Sequence, residues 1–233
     1  MSEPRQGPGV FTAAAAILKK DLRLELRTLE SLTATTIFTV ATFIIFHFAL
    51  QRDELDGSLA SGVFWVTILF ASALAINRLL SNERQQGGYE SLLLAPIDRN
   101  AILFAKFALL FITLTVTEII AFASFALLLL GPSPAGAFPE LIPILLLANA
   151  GIAGIGTLVA ALATDTSARE LLVPLMTLPL FTPLLIGAAR ATAPLFEKAG
   201  DPDQLGRWLG LIGLYDSVFL LLAFALFDFI LDD

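Results

Sequence analysis

The chain has 233 residues, of which 57% are hydrophobic and 15% charged, with a mean hydropathy of +0.82; an ordinary soluble domain carries about 25% charge. Its net charge of −7 and pI near 4.7 exclude an electrostatically driven nucleic-acid partner. The absence of cysteine excludes disulfides, thiolate zinc sites and covalent haem attachment through Cys-x-x-Cys-His.

Residues 1–9 read as a loose tail. The apolar Phe11–Leu18 run is followed, not preceded, by its basic residues, and no small-residue cleavage site stands at the right distance, so no cleavable signal peptide is expected. Phe11, Ala15, Leu18, Leu22, Leu26 and Leu29 recur at helical spacing and form one stripe, with Lys19, Lys20, Arg23 and Arg27 off it. Such a helix either rests in the membrane interface with its basic side toward anionic headgroups or packs as a cytosolic helix on other subunits.

Apolar runs of roughly 20 residues follow, each long enough to cross a ~30 Å hydrocarbon core. Six spans are predicted: Leu32–Leu50, Leu59–Asn77, Ala101–Leu130, Leu141–Ala163, Leu171–Ala189 and Trp208–Ile230. The fold class is therefore all-α and polytopic, divided into a tail with an amphipathic helix (1–30) and a six-span membrane domain (31–233). The third span would approach about 45 Å and must tilt or project. Ala148, Gly151, Gly154, Gly156 and Ala160 predict close helix approach in the fourth. Pro174, Pro179 and Pro183 predict kinks or a break in the fifth.

Ten of the 14 basic residues fall on one side of this layout (Arg5, Lys19, Lys20, Arg23, Arg27, Arg78, Arg84, Arg99, Lys106 and Arg169). Arg52, Arg190, Lys198 and Arg207 fall on the other. The bias predicts both termini in the cytoplasm.

Between the second and third spans lies Arg78–Arg99, a polar segment. Glu83 and Arg84 are solvated, Gly87 and Gly88 permit a bend, and Tyr89–Leu94 can form a short amphipathic helix stopped by Pro96. Asp98 stands where the N-cap of the next helix is expected. This segment is either a docking element for a partner, with Tyr89, Glu90, Leu92 and Leu93 at its centre, or an ordinary polar loop.

No Walker A pattern, His-Glu-x-x-His or Gly-x-Ser-x-Gly is present, so no catalytic residue and no metal site is assigned. Two carboxyls lie within spans, Glu118 and Asp216, where ionisable groups are costly and usually face a bundle interior or a water path. Glu118 has Thr113, Thr115 and Thr117 nearby, and Tyr215 beside Asp216 suggests a local pair. His47 either hydrogen-bonds within the structure or ligates a haem iron. Trp65 and Trp208 read as packing or interface residues.

The chain resembles the CcmB family, a membrane subunit of an ABC-type transporter in cytochrome c maturation. The resemblance is carried by Gly62-Val-Phe-Trp-Val through Leu69, Ala71–Leu80, Gly88-Tyr-Glu-Ser-Leu-Leu-Leu-Ala-Pro96, Ala105-Lys106 and the Leu-Pro-Leu-Phe-Thr-Pro-Leu-Leu run at Leu178–Leu185. Tyr89 stands where that family's loop usually has leucine. The resemblance implies an ABC-2-like permease, without enzyme activity of its own, in a bacterial inner membrane. It implies coupling to a separate CcmA-like ATPase through a coupling helix at Glu83–Pro96, with the N-terminal helix as an interfacial elbow. It further implies CcmC- and CcmD-like membrane partners, an indirect link to a CcmE-like haem chaperone, a homodimer within the complex, and haem as cargo rather than a stably bound cofactor. Two rivals stand beside this reading: an ABC-2 permease for a lipid, glycan or drug, and an intramembrane enzyme using Asp216 or Glu118.

Overall fold

In a computed structural model, residues 9–52, 54–85, 98–130, 138–163, 169–197 and 204–230 are described. They form seven helices. These are α1 (Val10–Thr28), α2 (Glu30–Leu50), α3 (Gly57–Gln85), α4 (Arg99–Phe125, continued by a π-helical turn Ala126–Leu130), α5 (Phe138–Leu162), α6 (Arg169–Thr192, continued by a 3-10 turn Ala193–Phe196) and α7 (Leu205–Ile230). Six of them, α2 to α7, are long and apolar enough to cross a membrane. The protein is thus a polytopic α-helical membrane protein, with α1 as an added amphipathic helix.

The six apolar helices begin two or three residues before the predicted spans, and α3 runs eight residues past its predicted end. Asp98 caps α4 as expected, its Oδ1 accepting from the Asn100 amide at 2.9 Å. The α1–α2 junction turns on Leu29, a non-glycine residue in the left-handed region (φ 50°). Gly57, also left-handed at φ +52°, opens α3; a Cβ there would come within 2.5 Å of Glu197 Oε1. The three prolines of the fifth span do not break it. Pro174, Pro179 and Pro183 all lie inside the continuous α6, and the carbonyl of Leu180, between the last two, accepts from the Tyr215 hydroxyl at 2.7 Å. The hydroxyl thus ties α7 to α6 within the proline-bearing stretch.

Contacts fix the helix directions. Thr35 meets Thr117 and His47 meets the Leu128 carbonyl, 82 and 81 residues apart, so α2 and α4 run parallel in constant register. Glu118 faces Asn149 while Leu110 lies against Gly156, which makes α4 and α5 antiparallel. Gly151 abuts Asp216 and Gly154 abuts Leu220, so α5 and α7 are parallel. These relations are those of alternate crossings of one slab.

α3 and α5 form the middle of the bundle, each 67% buried over its apolar window, whereas α2 and α7 are 17% buried. The centrality of α5 rests on its small residues, as expected. A Cβ at Gly154 would lie 2.9 Å from Leu220 Cδ2, and one at Gly156 would lie 2.8 Å from Ile76 Cδ1. Without hydrophobic driving force in lipid, such close backbone approach supplies the dispersion contact that holds helices together. At the end of the bundle remote from α1, Phe43, Phe64, Phe122, Phe125 and Phe196 pack ring against ring, with Phe43–Phe125 and Phe64–Phe125 centroids at 5.2 Å. Trp65 is fully buried there and donates from Nε1 to Thr192 Oγ1 at 2.9 Å, so it is a packing residue.

Candidate functional site

The predicted docking segment falls largely outside the described residues. Gly87, Gly88, Tyr89, Glu90, Leu92, Leu93 and Pro96 are not described, and of Glu83 and Arg84 only the helical backbone is. What the structure does give is the segment's two stems. α3 continues past Arg78 to Gln85, about 10 Å further at 1.5 Å per residue. The stem leading in is tied to α2 by Arg78 Nη1 to Glu30 Oε1 at 2.7 Å, with side chains 34% and 53% exposed. The stem leading out is tied to α1 by Lys106 Nζ to Asp21 Oδ2 at 2.7 Å, with side chains only 12% and 8% exposed. Exposure decides between them. An exposed pair contributes roughly 0–1 kcal/mol, whereas removing one partner of a buried pair costs about 3–5 kcal/mol, because the other charge is left uncompensated.

The Asp21–Lys106 pair sits beside a small packed patch. Ala13 and Ala14 meet Ala101, and Ile17 meets Ile102, Leu103 and Ala105. The face of α1 that packs most deeply is therefore not the centre of the Phe11–Leu29 stripe. Phe11 and Leu26 are 80% and 68% exposed, while Leu18, at the stripe's edge, packs against the patch and the Phe11 ring stacks on Phe104 at 5.9 Å. The signal for Asp21 was present in the sequence: an acid within a basic run, one turn beyond Ile17 on the alanine face.

Of the two carboxyls within spans, Glu118 is buried and accepts through Oε2 from Asn149 Nδ2 at 2.6 Å; the same amide lies 3.4 Å from Thr115 Oγ1. Its neighbour Thr117 instead bonds Thr35 of α2 at 3.0 Å. Glu118 Oε1 and Asn149 Oδ1 are buried with no hydrogen-bond partner among the described residues. Asp216 is likewise buried, and both its oxygens lack a partner among the described residues. The expected Tyr215–Asp216 pair is not formed, because the tyrosine hydroxyl reaches Leu180. Asn149 and Gly151 are two residues apart on α5, hence on opposite sides of that helix. Glu118 and Asp216 therefore flank α5 at one level and do not form one cluster. An enzyme needs convergent acid, base and positioning groups, and these two carboxyls are separated by a packed helix.

His47 is half-buried and its Nδ1 donates to the Leu128 carbonyl at 2.7 Å. Leu128 belongs to the π-helical turn that ends α4, and the next carbonyl, Leu129, accepts from the Leu55 amide at 2.7 Å. A π turn redirects backbone carbonyls, and here two of them anchor α2 and the segment before α3. His47 thus has a structural partner through Nδ1.

Residues 12–229 match the family described as CcmB protein. The chain is similar to heme exporter protein B of Rhodobacter capsulatus, at 31% identity over 175 residues, covering 75% of this chain and 79% of the relative. It is similar to heme exporter protein B of Pseudomonas aeruginosa at 28% identity (79% of this chain, 83% of the relative). It is similar to that of Bradyrhizobium diazoefficiens at 26% identity, covering 88% of this chain and 93% of the relative.

Proposed function

The chain belongs to the CcmB family, and on that footing we propose that it is the membrane permease subunit of an ABC-type complex that handles haem during cytochrome c maturation. The observation that carries this reading is the family match over residues 12–229, which spans nearly all of α1 and the six apolar helices, together with the relatives named heme exporter protein B. The subunit is a transport component, not an enzyme. ATP is hydrolysed by a CcmA-like partner, and CcmC- and CcmD-like proteins complete the membrane assembly. ATP turnover by that assembly releases the haem-loaded CcmE-like chaperone. Two copies of the chain and two ATPases form its core. Haem is cargo, held transiently, and His47 Nε2 is the axial ligand this chain itself could offer. The complex sits in the bacterial inner membrane with both termini of this chain in the cytoplasm.

In this reading Glu83–Pro96 enters the ATPase, and the two stem ion pairs give its motion a mechanical path. Arg78–Glu30 leads to α2, and Lys106–Asp21 leads to α1. A rigid stem with a buried ion pair transmits displacement, whereas a solvated loop dissipates it. The test is complementation of a bacterium lacking its own CcmB-family gene. Expression of this chain with its cognate ATPase restores holo-cytochrome c, read as covalent haem on the periplasmic apoprotein. Restored lipid, glycan or drug efflux without holo-cytochrome c would favour the ABC-2 rival.

A further inference from the structure

At 100° per residue, α1 presents three faces roughly 120° apart. Ala13, Ala14, Ile17 and Asp21 face α4. Phe11, Leu22 and Leu26 form an apolar face on which Phe11 and Leu26 are exposed and Leu22 half-buried, with the Phe11 ring resting against Phe104 of α4. The third face carries Lys19, Lys20, Arg23 and Arg27, all exposed, around an open groove of about 610 Å³ whose apolar wall includes Leu24 and Leu26.

The acids of α1 do not neutralise this third face. Asp21 is turned inward to Lys106 at 2.7 Å and reaches only Lys20, at 3.2 Å. Glu25 accepts through Oε1 from the Leu32 amide at 3.0 Å, at the turn into α2. Lys19, Arg23 and Arg27 have no acid within 4 Å among the described residues. Three uncompensated cations therefore share one groove, and Leu26 belongs both to its wall and to the adjoining apolar face.

We infer that this groove is a binding site for the headgroup of an anionic phospholipid. The phosphodiester would lie among Lys19, Arg23 and Arg27, and the acyl chains would run down the stripe through Leu26 and Phe11. Charge selects a phosphate, and the contiguous apolar face selects one that carries chains. A soluble phosphate uses only the cations, and an acidic protein surface leaves the stripe in water. The placement agrees, since the left-handed turn at Leu29 sets α1 at the end of the first apolar helix, at headgroup level.

The test places the full chain in nanodiscs of phosphatidylcholine with or without phosphatidylglycerol and counts retained lipid by native mass spectrometry. Near an anionic surface each cation contributes about fivefold in affinity, so Lys19→Gln, Arg23→Gln and Arg27→Gln together should weaken phosphatidylglycerol retention roughly a hundredfold. Lys19→Arg, which keeps charge, and Arg207→Gln at the other end of the bundle should retain it. These side chains are exposed, and a cross-link between cysteines at Ala14 and Ala101 reports whether α1 is still docked. Undiminished phosphatidylglycerol retention by the docked triple variant would overturn the inference, as would equal retention of phosphatidylcholine by the unaltered protein. So would cross-linking of the groove to an acidic protein surface or a second copy in place of lipid.

Discussion

Replacing Lys106 by methionine leaves the stem of α4 intact in shape but strands Asp21, whose side chain is 8% exposed and whose best partner is the lysine at 2.7 Å. The remaining donor to Asp21, Lys20 at 3.2 Å, is a half-exposed side chain and compensates little. Docking of α1 otherwise rests on Ala13, Ala14 and Ile17, with Val10 and Leu18 partly buried beside them and the exposed Phe11 ring stacked on Phe104 at 5.9 Å. An uncompensated buried charge costs about 3–5 kcal/mol, which shifts the docked-to-undocked ratio of α1 by at least a hundredfold. The chain has no cysteine, so a pair introduced at Ala14 and Ala101 is the only one present. Its oxidative or short-linker cross-link should form readily with Lys106, collapse with Lys106→Met, and recover in the charge-swapped Asp21→Lys, Lys106→Asp variant. Recovery in Asp21→Leu, Lys106→Met would confirm that the stranded charge, not a lost attraction, does the damage. Unchanged cross-linking in Lys106→Met would refute the claim that the pair holds α1.

A cysteine at Asp56 or Asp201 should react with an impermeant reagent added outside the cell, while one at Gln86 stays protected; the reverse pattern inverts the topology. Gly151→Ala should destabilise the bundle by about 1–3 kcal/mol, because a Cβ there collides with Asp216 Oδ1 and with Leu184, whereas Gly62→Ala has nothing within 4 Å and should be silent in thermal unfolding. Asn149→Leu removes the donor to Glu118 and should lower thermal stability by about 1–2 kcal/mol, in keeping with hydrogen bonds between membrane helices. Glu118→Gln, which keeps an acceptor oxygen, should lose less.

Elements whose length the bilayer dictates were readable from residue order alone. Glu30–Leu50 and Gly57–Arg78 differ from the predicted spans mainly by caps at their ends. Asp98 declared itself as an N-cap because capping is a local bond across two residues. The prolines of α6 allowed kinks or a break, and the helix is continuous; residue order gives no sign of the Tyr215 hydroxyl, 35 residues away, that meets Leu180. Glu118 was expected to face the bundle interior, and it does, but residue order names only the threonines nearby and not its donor, Asn149 on the next helix. Asp21 and Lys106 are 85 residues apart, and no periodicity in either segment relates them. The α1 stripe is legible as apolar, but which face of α1 packs on protein depends on α4, whose position no local pattern encodes.

The most direct test of the account is whether the segment between the two stems couples this subunit to its ATPase. Leu93 lies at the apolar centre of that segment, and burying a leucine at a partner surface contributes roughly 1.5–3 kcal/mol. With Leu93→Asp, the CcmA-like ATPase should no longer co-purify with the membrane subunit, and holo-cytochrome c formation should fall with it. Full ATPase co-purification together with normal cytochrome c maturation in that variant would contradict the account.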